Sequence, residues 1–202
     1  MDFPFVIQPT QPHHIPALVA LQERVFPSLS PEERMGSAHY EAHLRLFPEG
    51  QFVATHGDQV VGMSTTMRYH YTEEDHTFLD ISGNMMLTTH EPDGQWMYDL
   101  DIGVHPDFRK KGIAKAIYEA RLARCAELGL DGILTVGMPN GYAHYASEMD
   151  LDTYFAGIVA GNIIDPTVSA QQKVGFTIIK LIHNYLSDPQ CGNGGVLMRY
   201  EV

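Results

Sequence analysis

The sequence predicts an α/β (α+β) fold: one domain, residues 1–202, with a central mixed, twisted sheet of about seven strands and helices on both faces. Three observations carry this. Strand-like apolar runs alternate with helical patterns along the whole chain instead of clustering in one half. The strand-like run at 98–104 passes through a basic glycine turn directly into a helix. The last part of the chain holds two more strand-like runs around a glycine-rich loop, the pattern of a closing antiparallel pair. A length of 202 residues with 44% hydrophobic content is enough for one sizeable core.

In chain order, Phe5-Val6-Ile7-Gln8 reads as the first strand, and residues 16–26 as an amphipathic helix with Leu18, Leu21, Val25 and Phe26 available for the core. Ser30-Pro31-Glu32-Glu33 combines an N-cap, a proline at the first helical position and a Ser-x-x-Glu capping box. That combination predicts a helix over 31–46. Residues 51–55 and 59–67 form a hairpin around His56-Gly57-Asp58. Residues 71–94 mix acids, histidines, Asn84 and Pro92 without a steady period, and read as a long loop or an irregular strand. After the strand at 98–104 comes a helix with Gly129 as its C-cap, then a short buried parallel strand at 132–136. Residues 150–160 read as an extra helix. Asp165-Pro166 opens a further helix ending at Gly175, and 176–185 pairs with 196–200.

Composition excludes several classes. Against 25 Asp and Glu there are 13 Lys and Arg, a net charge of -12, whereas a nucleic-acid binder needs a broad basic surface. The same charge suits a cationic small molecule or peptide, and makes any local basic cluster stand out. Cys125 and Cys191 make no disulfide framework, Met1-Asp2-Phe3-Pro4 lacks the positive region of a signal peptide, and the most apolar run, 154–164, is glycine-broken and too short to span a bilayer. The expectation is a cytoplasmic protein without membrane contact.

The basic cluster lies in the turn after the central strand. His105-Pro106-Asp107-Phe108 leads into Arg109-Lys110-Lys111-Gly112-Ile113-Ala114 at a helix start. The first helical amides have no internal partner, and the aligned peptides add about half a positive charge there, so the turn is suited to an anion. It has neither the Gly-x-x-x-x-Gly-Lys-Ser/Thr spacing of a Walker loop nor a Gly-x-Gly-x-x-Gly turn. The pattern Val-x-Pro-x-x-Arg-x-x-Gly-x-Ala resembles the pyrophosphate-binding motif of the GNAT superfamily, the acyl-CoA-dependent N-acetyltransferases. The order of elements is similar to that family over nearly the whole chain, including the Gly-Phe junction in Lys173-Val174-Gly175-Phe176.

The resemblance implies a GNAT-like domain that uses acetyl-CoA as cosubstrate and transfers the acetyl group to a primary amine by direct attack in a ternary complex. It implies main-chain contacts from Ile102 and Val104 to the pantetheine arm, and from Arg109, Lys110, Lys111, Gly112, Ile113 and Ala114 to the pyrophosphate. An attacking amine must be neutral, so the site needs a proton acceptor. Asp99 and Asp101 lie two apart in the strand and are expected to share a face, opposite Leu100 and Ile102. Asp101 is the first candidate and Asp99 the second; the plainer reading of either is a salt bridge to a nearby Arg.

Many family members place a tyrosine four residues before the glycine of the Gly-Phe junction, to protonate the departing thiolate. Here that residue is Gln171, which cannot be an acid. Solvent, Tyr142, Tyr145 or Ser169 remain as donors, or turnover has been lost; Tyr142 is carried as the third catalytic candidate. His39 and His43 have a zinc-compatible spacing without a third ligand, so they read as a helix-surface pair and no metal is expected. No Gly-x-Ser-x-Gly elbow supports a hydrolase. Two functions stay open: an N-acetyltransferase, or a non-catalytic acyl-CoA-binding or regulatory module of the same fold. The acceptor, the acyl length and the oligomeric state, including a homodimer, are not specified by the sequence.

Overall fold

The computed structural model describes residues 3–202. Strands β1 (Val6–Pro9), β2 (Phe52–His56), β3 (Gln59–Tyr69), β4 (Trp96–Val104), β5 (Gly132–Gly137), β6 (Thr177–Ile182) and β7 (Gly195–Glu201) form one sheet, in the order β1-β2-β3-β4-β5-β7-β6. Every neighbouring pair is antiparallel except β4 and β5. Those two run parallel because a helical crossover, α4 (Ile113–Glu127), returns the chain to the same end of the sheet.

Helices α1 (Ile15–Val25), α2 (Ser37–Leu46) and α3 (Phe78–Ser82) cover one face. There Leu18, Leu21, Tyr40, Phe78 and Ile81 pack with Met63, Tyr98, Leu100 and Leu134. The other face lies under α4, α5 (Leu151–Val159) and α6 (Val168–Val174), where Tyr118, Cys125, Tyr154, Ile158 and Val168 pack with Met97, Ile133 and Met198. Among the described residues no helix is long and apolar enough to cross a membrane.

Three local expectations are corrected. The capping signal at Ser30 is spent on a single 3-10 turn, Pro31–Glu33; Arg34 is then extended (φ -94, ψ 133), and α2 starts only at Ser37. The turn is held by tertiary contacts, the Ser30 amide donating to the Ser187 carbonyl at 3.1 Å and Glu33 Oε2 accepting from the Ser187 amide at 2.7 Å, while Arg34 donates back to the carbonyls of Pro27 and Leu29. The aperiodic stretch 71–94 contains the short helix α3, capped by Thr77 and followed by Asn84, Met85 and Leu87 at positive φ. His39 and His43 are not a surface pair, since His43 is 1% exposed and its Nε2 lies 2.7 Å from the Met85 carbonyl, while His39 Nδ1 accepts from the Gly36 amide at 2.8 Å.

Candidate active site

The β4–β5 pairing covers only Trp96 to Asp99 against Gly132 to Thr135. Beyond it β4 stays with β3 as far as Val104 opposite Gly62, while β5 stays with β7 as far as Gly137 opposite Val196. The two parallel strands therefore splay, leaving a wedge with Asp99 and Thr135 at its apex. The His105 amide donates to Val61 on β3 at 2.9 Å. Main-chain groups alternate in direction along a strand, so those of Ile102 and Val104 face the wedge. Arg109 Nε reaches back to the Val104 carbonyl at 3.3 Å, tying the basic turn to the wedge rim.

The register slips at the apex: Thr65 lies opposite Asp101 but Thr66 lies opposite Asp99, so β4 carries one extra residue there. A bulge of this kind breaks the alternation of faces. Asp99 and Asp101 consequently do not share a face. Asp99 is 3% exposed and points under α4, where Arg121 Nη1 lies 2.7 Å from its Oδ2. Asp101 points to the α1 side, and its Oδ2 accepts from Gln22 Nε2 at 2.6 Å; Gln22 also donates to the Tyr40 hydroxyl at 2.8 Å.

Arg121 is fully buried. It donates to Ser64 Oγ on β3 at 2.7 Å, to Asp99, and to the main-chain carbonyl of Asp101, so one α4 side chain clamps both strands around the bulge. Burial raises the Asp99 carboxyl to about 6 against the pull of Arg121, and burial also raises that of Asp101. Asp99 Oδ1 and Asp101 Oδ1 are both buried without a partner among the described residues. Arg121 and Gln22 were missed in the sequence, yet both stand on apolar stripes: Arg121 continues the spacing Ile113, Ile117, and Gln22 follows Leu18 and Leu21.

At the mouth of the wedge lies the basic turn. Lys110 and Gly112 are left-handed, at φ +61 and +83. The first α4 bond runs from the Ala116 amide to the Gly112 carbonyl at 3.0 Å, so the amides of Gly112, Ile113, Ala114 and Lys115 precede the ladder. A Cβ on Gly112 would meet no atom within 4 Å, which leaves the approach to those amides open. Arg109 and Lys110 are exposed, while the Lys111 ammonium sits 4.2 Å from the Phe3 ring centroid and 4.9 Å from that of Phe108. Gly103 serves a different purpose from the bulge, because a Cβ there would come within 2.6 Å of Met63 and 3.0 Å of Val25.

On the α4 face of the apex, Gln171 reaches from α6 to the Tyr118 hydroxyl (3.1 Å) and Thr135 Oγ1 (3.4 Å). Tyr118, 5% exposed, is a third residue the sequence reading missed. Tyr142 instead packs its ring edge-on to Tyr154 and directs its hydroxyl to the Met149 carbonyl at 3.4 Å. Ser169 Oγ accepts from the Asp165 amide at 3.0 Å, and Tyr145 lies on the surface against Tyr154. Among the described residues no group of three or more potential metal ligands converges.

Residues 15–147 match the Acetyltransferase (GNAT) family. The chain is 35% identical over 185 residues to a probable hydrolase of Bacillus subtilis (strain 168), YhcX. It is 32% identical over 190 residues to an uncharacterized N-acetyltransferase of the same organism, YkwB. These alignments cover 91% and 93% of this chain; the chain spans 36% of the length of YhcX and 84% of that of YkwB. Among solved structures, GphF, described as a GNAT-like decarboxylase in complex with isobutyryl-CoA, superposes with a TM-score of 0.84 over 97% of this chain and 98% of that one, at 23% identity.

Proposed function

Because the chain belongs to the GNAT acetyltransferase family, we propose that it transfers an acetyl group from acetyl-CoA to a primary amine of a small molecule or peptide. One observation supports this reading above the rest: the wedge between β4 and β5 opens beside a helix N-terminus whose amides are unobstructed at Gly112. The residues present fit acyl-CoA. The amides of Gly112, Ile113 and Ala114, with Arg109 and Lys110, would hold the pyrophosphate, and the main chain of Ile102 and Val104 would hold the pantetheine arm. Apart from the Val104 carbonyl, which Arg109 reaches, the wedge-facing backbone has no β5 partner and so has hydrogen bonds to offer.

Bound acetyl-CoA supplies a thioester carbonyl open to nucleophilic attack. A free main-chain amide of β4 near Val104 stabilises the charge that develops on the carbonyl oxygen. Asp101, on the opposite face from the clamp, accepts the amine's proton directly or through water, and its raised pKa suits it to that task. The net charge of -12 favours a cationic acceptor. Steady-state release of free thiol from acetyl-CoA, measured across a panel of amines, tests the reading. Release that depends on the amine supports it. CoA binding without thiol release from any amine would instead make the protein a non-catalytic acyl-CoA-binding module.

A second reading is favoured by shape. The TM-score of 0.84 is to a protein described as a decarboxylase, and the same wedge would hold a carboxylated acyl-CoA. Carbon dioxide release from malonyl-CoA with the thioester left intact distinguishes this chemistry from transfer.

A further inference from the structure

We propose that Tyr118 of α4 protonates the departing CoA sulfur, and that Gln171 of α6 is the positioning residue that holds its phenol at the wedge apex. The proposal rests on the acyl-transfer reading above. Thr135 is the last β5 residue paired with β4, opposite Asp99, and therefore marks where the wedge closes. Gln171 Nε2 lies 3.4 Å from Thr135 Oγ1 and 3.1 Å from the Tyr118 hydroxyl, so side chains from β5, α6 and α4 meet at that point. A Cβ on Gly137 would come within 2.1 Å of Gln171 Oε1; the glycine makes room on β5 for this amide.

The hydroxyl of Tyr118 accepts from Gln171, and among the described residues its own proton is given to no acceptor. Its ring is fixed, edge-on to Phe176 at 5.5 Å with the Arg121 guanidinium 5.7 Å from the centroid. The charged groups facing it are Asp99 and Arg121. Burial first, then the Asp99 charge, push the phenol up to about 12 against Arg121, so the acid stays loaded at neutral pH. The other hydroxyls near the cleft are worse placed. Tyr142 and Ser169 are engaged elsewhere, and Tyr145 is on the surface.

The step balances. As the amine nitrogen forms its bond to the acyl carbon, the carbon–sulfur bond breaks and its electron pair goes to sulfur. Sulfur takes the Tyr118 proton, the proton lost by the amine goes to Asp101 and on to water, and the phenol is reprotonated from solvent once CoA has left. Gln171 thus stands where the family's tyrosine would, and hands the same task to a phenol on the neighbouring helix.

The test compares wild type with Tyr118→Phe, following the ultraviolet absorbance of the CoA thiolate in the binary complex against pH, and the affinity of desulfo-CoA. A hydrogen bond to a charged group is worth about one to two pH units. In wild type the bound thiol should ionise at a pH lower by that amount than in Tyr118→Phe, with desulfo-CoA binding equal in both. kcat for amine acetylation should fall on the order of 100-fold. Identical thiol titrations and equal kcat would overturn the proposal while leaving the acyl-CoA reading standing; failure of wild type to bind either CoA or desulfo-CoA would overturn both. Should Tyr118→Phe not fold, Gln171→Leu keeps the phenol and removes its anchor. The thiol titration should then move upward with desulfo-CoA affinity unchanged, and an unmoved titration would overturn the proposal.

Discussion

Arg121 Nη1 and Asp99 Oδ2 are 2.7 Å apart with side chains 0% and 2% exposed, so the charge clamp on the β4 bulge is sealed from water. Removing one partner of such a pair strands the other. Arg121→Met should cost about 3–5 kcal/mol in urea unfolding, whereas Asp99→Leu with Arg121→Met should recover most of the loss. A double variant no more stable than the single would mean that the hydrogen bonds of Arg121 to Ser64 and the Asp101 carbonyl outweigh the ion pair.

Two buried groups pull stability in opposite directions with pH. Burial raises Asp99 from 3.8 to about 6, so its contribution is full below 3.8 and is lost as pH rises through 6, by about 3 kcal/mol. Burial lowers His43 from 6.5 to about 4, so its contribution is full above 6.5 and is lost as pH falls towards 4, by about 3 kcal/mol. The two slopes overlap and offset each other. Relative to wild type, Asp99→Asn should lose stability on acidification between these limits, and His43→Gln should gain it. Parallel urea midpoints for all three proteins across that range would count against both assignments.

How much of this was legible in the sequence follows from how local each cause is. The turn at 105–114 was readable because a helix start creates free amides whatever surrounds it, and Asp150 and Asp165 capped α5 and α6 for the same reason. The bulge was not, because it is set by the register of Thr65 and Thr66 on β3, and one slipped residue reverses the face of Asp101. Ser30 showed a sound local signal that the contacts of Ser30 and Glu33 with the distant Ser187 then overrode. The Tyr118–Gln171 contact depends on α4 meeting α6, which no window of sequence contains.

The wild-type protein should gain thermal stability with CoA, and Gly112→Val should destroy that shift, since its side chain would stand in front of the α4 amides. Left-handed strain complicates the substitution, at about 1–2 kcal/mol. Gly129, past the other end of α4, has φ +65 and equally open space, so Gly129→Val supplies the same strain without the obstruction. It should melt earlier and still respond fully to CoA. Equal CoA shifts in the two variants would place the pyrophosphate elsewhere.

Changing Arg109, Lys110 and Lys111 together to Gln should weaken CoA binding and flatten its dependence on salt, as exposed charges are screened. Among the single variants Lys111→Gln should matter least, because that ammonium rests over the Phe3 and Phe108 rings. A salt slope unchanged in the triple variant would separate the cofactor from this turn.

Asp101 carries the last prediction, because the bulge presents its carboxylate to the α1 side of the sheet, with Gln22 on Oδ2. If it takes the amine's proton, Asp101→Asn should lower kcat on the order of 100-fold or more while leaving CoA affinity intact. An asparagine can still offer its oxygen to Gln22, so stability should change little. The acidic limb of the wild-type pH profile should vanish with the carboxylate. Supplying amines of different basicity provides the control: a limb that tracks the amine's own pKa, and survives in Asp101→Asn, would return Asp101 to a structural role at the bulge and leave an ordered water to carry the proton.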